Sequence, residues 1–142
     1  MLLAMARSSL PPRRSAGRVA ERRARERHRA QAAKVRELLQ AQYREPPGLD
    51  ELAAQLGVSR FHLSRSFSRE FGLSITDMLT TIRMERAREM LSSGEYSIKQ
   101  VAAAVGYANG HYFAKVFRRV SGLTPSEYQL RTAERAARRA AH

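Results

Sequence analysis

Two stretches of this chain set polar and basic side chains opposite an apolar stripe. In the first, Leu63, Phe67 and Phe71 recur at helical spacing, leaving Arg60, Phe61, Ser64, Arg65 and Ser68 on the other side. In the second, Phe113 and Phe117 fall inward, and Asn109, Gly110, His111, Tyr112, Ala114 and Lys115 are left outward. Such faces offer hydrogen-bond donors and flat rings, not a reactive group. The fork of Arg65 can grip O6 and N7 of a guanine, a contact worth ~1–3 kcal/mol of discrimination. Arg69, Arg118 and Arg119, late in the same stretches, suit either phosphate oxygens or plain solubility.

Other chemistry finds little support. The chain has no cysteine, which excludes a disulfide framework, a thiolate zinc site and a cysteine nucleophile, and suits a reducing cytosol. His62 and His111 fall near each other in the register of a repeat described below. Without cysteine, and without histidine or carboxylate ligand spacing, no metal site is expected. His28 and His142 sit in the tails and receive no role. The carboxylates are scattered beside arginines, as Glu85 is to Arg88, in the manner of surface pairs. No pocket of converging polar groups is indicated, so neither an enzyme nor a cofactor is expected.

The elements that hold the two faces read as helices throughout; no segment alternates with period two for long enough to be a strand. Val35, Leu38, Leu39 and Gln42-Tyr43 mark a helix closed by Pro46-Pro47-Gly48. Leu49, Leu52, Ala53 and Leu56 mark a short one stopped by Gly57. The first polar-faced helix follows, about 60–70, and stops at Gly72. Ile75, Leu79, Ile82, Ala87, Met90 and Leu91 mark a long helix ended by Gly94. Ile98, Val101, Ala102 and Val105 mark another short one stopped by Gly106. The second polar-faced helix, about 109–120 and including Val120 on its apolar side, stops at Gly122, and Thr124-Pro125-Ser126-Glu127 opens the last. Ser59 and Ser74 can cap the helices that follow them, and Ser97 to Gln100 and Thr124 to Glu127 have capping-box spacing.

The chain contains one unit twice. Leu52-Ala53-Ala54-Gln55-Leu56-Gly57 matches Val101-Ala102-Ala103-Ala104-Val105-Gly106 at an offset of 49, and Phe67 and Gly72 match Phe117 and Gly122 at an offset of 50. Each unit is a short apolar helix, a glycine turn and a second helix. Ala53 and Ala102 lie where the two helices would cross, and Gly57 and Gly106 can take the positive φ of a sharp turn. This is helix-turn-helix geometry, in which the second helix is held out to enter a major groove. Any small helical bundle has short helices and glycine turns. Repetition with matching phenylalanines and exits favours the helix-turn-helix.

Gly106-Tyr107 through Tyr112-Phe113, and Phe117-Arg118-Arg119-Val120-Ser121-Gly122-Leu123-Thr124-Pro125-Ser126-Glu127-Tyr128, resemble the signature of the AraC/XylS family of bacterial regulators. The linker Ile82-Arg83-Met84-Glu85-Arg86-Ala87 through Met90-Leu91 resembles that family's linker too. The resemblance covers about residues 30–130. It implies an all-α domain of about seven helices, with two helix-turn-helix subdomains, 30–74 and 94–130, joined by a linker helix at 75–93. It implies recognition helices in successive major grooves on one DNA face. A linker from Ile75 to Leu91 would be ~25 Å long at 1.5 Å per residue, of the order of one helical turn of DNA, ~34 Å. By the resemblance Phe61, Ser64 and Arg65, and then His111, Tyr112 and Lys115, read base edges. From the residues themselves Phe61 and Tyr112 fit core packing as well, and Ser64 a solvated hydroxyl. The backbone N–H groups at Ser59, Thr124 and Ser126 suit phosphates. The second helix, with fewer forked donors, is expected to be the less specific reader.

A net charge of +13 points to a polyanionic partner. Residues 1–29 hold nine arginines against Glu21 and Glu26, and residues 131–142 hold four against Glu134. The tails therefore carry most of the excess: a basic N-terminal arm over 1–29 and a basic C-terminal tail over 131–142. Within the arm, 1–17, with Pro11, Pro12 and Gly17, read as disordered, while 18–34, rich in Ala, Arg and Glu but without an apolar stripe, favour helix as a frayed extension of the element that follows. The arm suits non-specific DNA affinity; an organelle transit peptide and a mere extension are the alternatives. No stretch is apolar enough for a membrane-spanning helix or a secretory signal. Many family members carry an effector domain, for which residues 1–29 are too short, so the expectation is a stand-alone or isolated DNA-binding domain with no small-molecule effector evident. Two readers in one chain remove the need for a dimer and predict a monomer. The resemblance favours activation through contact with RNA polymerase in the cytoplasm. A non-specific architectural DNA binder, and a protein-interaction domain that has lost DNA binding, are the competing functions.

Overall fold

The computed structural model describes residues 13–141, with side chains from Ala16 onward. Among these residues there are seven α-helices and no strand: α1 (Arg13–Ala41), α2 (Leu49–Gln55), α3 (Arg60–Phe71), α4 (Ile75–Ser93), α5 (Ile98–Ala104), α6 (Gly110–Ser121) and α7 (Pro125–Ala141). None is long and apolar enough to cross a membrane.

Apolar side chains collect in two cores. The first joins Ala32, Val35 and Leu39 of α1 to Leu52, Ala53, Leu63 and Phe67, with Ile75, Met78, Leu79 and Ile82 of α4 packed against it. The second joins Met84, Ala87 and Leu91 of α4 to Val101, Ala102, Val105, Tyr107, Phe113, Val116 and Phe117. The linker helix is therefore no free spacer. Its first half belongs to one core and its second half to the other, and α7 lies along it. At 19 residues it spans ~28 Å.

Short polar side chains set where helices begin. Ser59 Oγ accepts from the His62 N–H, Ser74 Oγ from Asp77 and Thr124 Oγ1 from Glu127. The box at Ser97 is complete, since the Ser97 N–H also donates to Gln100 Oε1 at 2.8 Å. Each bond satisfies a backbone donor that has no partner within its own helix.

Several expectations need correction. Residues 1–12 lie outside the described residues, and with them most of the segment read as disordered. From Arg13 the chain is one continuous helix to Ala41, which takes in the helix favoured over 18–34 and replaces the disorder expected over 13–17. Its Ala, Arg and Glu content favours helix even without an apolar stripe, and the docked half of α1 supplies the nucleus. The stretch 131–141 is likewise helical, as the extension of α7. Helix α1 stops at Ala41, and residues 42–45 turn ahead of Pro46. Val120 is 44% exposed rather than core. The ion pair on α4 joins Arg86 to Glu89 at 2.9 Å, in place of the Glu85–Arg88 pairing.

Candidate nucleic-acid interface

The two polar faces sit on equivalent helices. α3 and α6 have the same length, 12 residues, at an offset of 50. Each buries the residues at its fourth, seventh and eighth positions: Leu63, Ser66 and Phe67 in one, Phe113, Val116 and Phe117 in the other. Each is presented by a tight turn. Ala53 and Ala102 are 4% and 2% exposed, so neither crossing has room for a larger side chain. Gly57 and Gly106, which follow, have φ of 66° and 99°.

With one face so committed, the leading turn of each helix points outward. Phe61 is 81% exposed and Tyr112 is 57% exposed. Phe61 is therefore not in the core, whereas the half-exposed Tyr112 ring still lies against the edge of the second core, 5.9 Å from the Tyr107 ring between centroids. Arg60 and Arg65 are exposed and Ser64 is half-buried. Leu49, Arg60, Phe61 and Ser64 line one shallow depression at the head of α3. Ile98, Lys99, Gly110, His111 and Ala114 share a corresponding one at the head of α6. Arg60 also lies 3.4 Å from Asp50, both well exposed, a weak attraction.

Asn109 stands apart from the other candidates. It is the cap of α6, its Oδ1 accepting from the N–H groups of His111 at 2.9 Å and Tyr112 at 3.1 Å. Its acceptor is thus engaged with the backbone at the head of α6. His111 and Lys115 are exposed beyond it. Arg69, Arg118 and Arg119 are exposed in the last turns of α3 and α6, so both helices end basic.

Sequence reasoning missed the contact of α1 with α3. The rings of His28 and His62 meet edge to face, with centroids 4.6 Å apart. Arg29 lies 3.6 Å from Glu70, and the Arg36 guanidinium sits 4.9 Å from the Phe71 ring centre. His28 is therefore a docking residue, not a tail residue. Partial burial, then the neighbouring His62, Arg27 and Arg69, lowers its pKa below the usual histidine value. A signal existed: Ala24, His28 and Ala32 continue the Val35–Leu39 stripe at helical spacing. Among the described residues no cluster of three or more potential ligands is placed to hold a metal ion.

Two equal helices, each held out by a short helix and a glycine turn and joined by one shared helix, define a double helix-turn-helix protein. A family model described as a helix-turn-helix domain matches residues 52–131. The regulator GadX of Escherichia coli K12 is 40% identical over 91 residues, covering 64% of this chain and 33% of its own length. The C-terminal domain of AraT, a response regulator from Geobacillus stearothermophilus, superposes with a TM-score of 0.66 at 36% identity, over 70% of this chain and 83% of that one. The DNA-binding domain of AdpA, solved with a target DNA, gives 0.68 at 27% identity, over 73% and 94%. The chain belongs to the AraC-type helix-turn-helix family. It spans about a third of the length of the curated relatives it matches.

Proposed function

We propose that this chain is a sequence-specific, double-stranded-DNA-binding transcription regulator that sets α3 and α6 into successive major grooves. The observation that carries the reading is the pair of equivalent exposed helix heads, Phe61 with Arg65 and Tyr112 with Lys115, on helices whose other faces are fully committed to two cores. Arg65 reads a guanine by its fork. Phe61 presses on thymine methyls, Ser64 and His111 supply short polar contacts, and Tyr112 and Lys115 serve the second groove. Arg60, Arg69, Arg118 and Arg119 hold phosphates, and Asn109 acts by fixing the head of α6. The two units, 30–74 and 94–130 about the linker at 75–93, form the functional domain.

The flanks add affinity without choice. Arg18, Arg22, Arg23 and Arg25 lie on the outer half of α1, where the helix has left the core. Each phosphate they neutralise would steepen the salt dependence by roughly 0.9 in the log–log slope. The chain acts as a monomer, since it carries both readers, and activates through contact with RNA polymerase. We assign it no small-molecule effector and no catalytic step; its relatives' naming as regulators supports that reading.

Selection from a random duplex pool tests this, repeated with Arg65→Ala. Enrichment of two short half-sites about one helical turn apart, with the variant losing base preference in one of them, is expected. High affinity that falls steeply with salt and enriches nothing would make the chain an architectural binder instead. Replacing Arg18, Arg22, Arg23 and Arg25 by alanine, which leaves the His28 and Arg29 contacts with α3 in place, is expected to weaken binding to all sequences alike.

A further inference from the structure

One side chain ties the two units together. Tyr43, in the turn after α1, belongs to the first unit by sequence yet packs against the second core. Arg83, in the middle of α4, donates from Nε to the Tyr43 carbonyl at 2.8 Å and from Nη2 to the Arg44 carbonyl at 3.4 Å. Its guanidinium lies 5.1 Å from the centre of the Tyr107 ring, in the turn of the second unit. Nearby on α4, Arg86 donates to the Tyr43 hydroxyl at 3.2 Å and pairs with Glu89.

The second unit's turn closes on the same point. A Cβ at Gly106 would stand 2.6 Å from the Arg44 carbonyl oxygen and 2.9 Å from the Arg83 guanidinium. At the equivalent Gly57 a Cβ would meet nothing within 4 Å. Gly57 thus serves a turn alone, whereas Gly106 also lets the first unit's loop and the linker approach the second unit's backbone.

We infer that Arg83, seated against Gly106, is a positioning residue that fixes the orientation of α6 relative to α3 and so sets the half-site spacing the chain accepts. The inference rests on the two-reader function above. A single helix between two cores leaves bending and twisting modes free. A planar group that bonds the first unit's loop and stacks on the second unit's aromatic ring removes them. Spacing is sensitive to such modes, since a turn of DNA holds about 10–10.5 base pairs and each added pair rotates the far groove by roughly a tenth of a turn.

Two measurements test it separately. The chain has no cysteine, so Glu51→Cys on α2 and Ala103→Cys on α5, both at exposed positions, carry a spin-label pair that reads the distance between units without DNA. We expect one narrow distribution, broadened by Arg83→Ala and unchanged by Glu85→Ala on the same helix. Should Arg83→Ala lose helix content, Arg83→Lys, which keeps the charge and stem but not the fork, supplies the folded variant with an intermediate width. A distribution that stays narrow without the guanidinium overturns the inference. The second measurement binds duplexes that carry the selected half-sites at separations stepped by one base pair. Arg83→Ala is expected to flatten the preference for the best spacing several-fold and to leave base preference within each half-site intact. An equal loss at every spacing would show a merely structural role. If the unsubstituted chain selects no paired half-sites, the two-reader function falls, and the label distances still decide whether Arg83 is the clamp.

Discussion

The first and second helix-turn-helix units share a backbone plan and differ in what surrounds it. α3 opens with Arg60-Phe61-His62 and carries Arg65; α6 opens with Gly110-His111-Tyr112 and carries Lys115 at the matching place. The first unit's turn is open, and its reader is braced from the side by α1 through His28, Arg29 and Arg36. The second unit's turn is pressed against Arg44 and Arg83. Duplication supplies two equivalent heads, and the neighbours then specialise them. The first head carries a forked side chain on a buttressed helix, and the second follows a turn that closes on the linker helix and the first unit's loop.

Replacing the central core ring is the most severe way to test whether the units stand or fall together. Phe67→Ala and Phe117→Ala each remove a ring with no exposed surface and are expected to cost ~3–5 kcal/mol by denaturant unfolding. Because α4 lines both cores, each loss is expected to lower the stability of the whole chain in one transition. Two separated transitions would show independent units.

The turn glycines sharpen the contrast. Gly57→Ala carries only the strain of a positive φ, about 1–2 kcal/mol. Gly106→Ala carries that strain and also drives a methyl into a backbone carbonyl, so it is expected to cost clearly more by thermal melting and to separate the units. Equal costs would mean that the second turn is no tighter than the first.

The readers themselves come next. Arg65→Ala is expected to lose ~1–3 kcal/mol of discrimination at one base of the first half-site. Lys115→Ala, lacking a fork to lose, is expected to weaken binding to many sequences with little change of preference. Selection profiles of both variants measure the asymmetry. A smaller difference lies in the caps. Asn109 satisfies two backbone donors and Ser59 one, so Asn109→Ala is expected to cost at least as much as Ser59→Ala, each around 1 kcal/mol. It is also expected to loosen the head of α6 enough to weaken DNA affinity.

Most of this plan is legible without coordinates, because period and punctuation are local. Leu63, Phe67 and Phe71 mark a face, Gly57 and Gly106 mark turns, and Ser59, Ser74 and Ser97 mark helix starts through bonds of three residues' reach. Exposure at Phe61 is not legible in that way. Its ring could serve a core or a groove until the opposite face is known to be filled by Leu63 and Phe67. The joint at Arg83 is hidden for a different reason. Its partners are 40 and 39 residues away in sequence, and they are backbone carbonyls, which leave no mark on side-chain identity. The Ala, Arg and Glu content of residues 18–34 marks the early part of α1 as helix, but its docking on α3 is hidden, because Ala24 and His28 are a weak stripe that arginine-rich composition masks.

The first unit's buttress also carries a pH signature that the second unit lacks, since Tyr112 occupies the place of His62. Partial burial, and then the proximity of His62, Arg27 and Arg69, disfavours the charged form of His28 and lowers its pKa below about 6.5. The unfolded chain therefore binds this proton more readily than the folded one. Above the ordinary histidine value both states are neutral and nothing is lost. As the pH falls through that value, the unfolded state is favoured increasingly, until the folded histidine too is protonated. The native chain is expected to lose melting temperature modestly on acidification from neutral pH, and His28→Gln is expected to lose less over the same range. Equal slopes for the two proteins would mean that the ring contact between α1 and α3 does not depend on the charge of His28. The polar part of the first unit's brace would then rest on Arg29 with Glu70 and on Arg36 over Phe71.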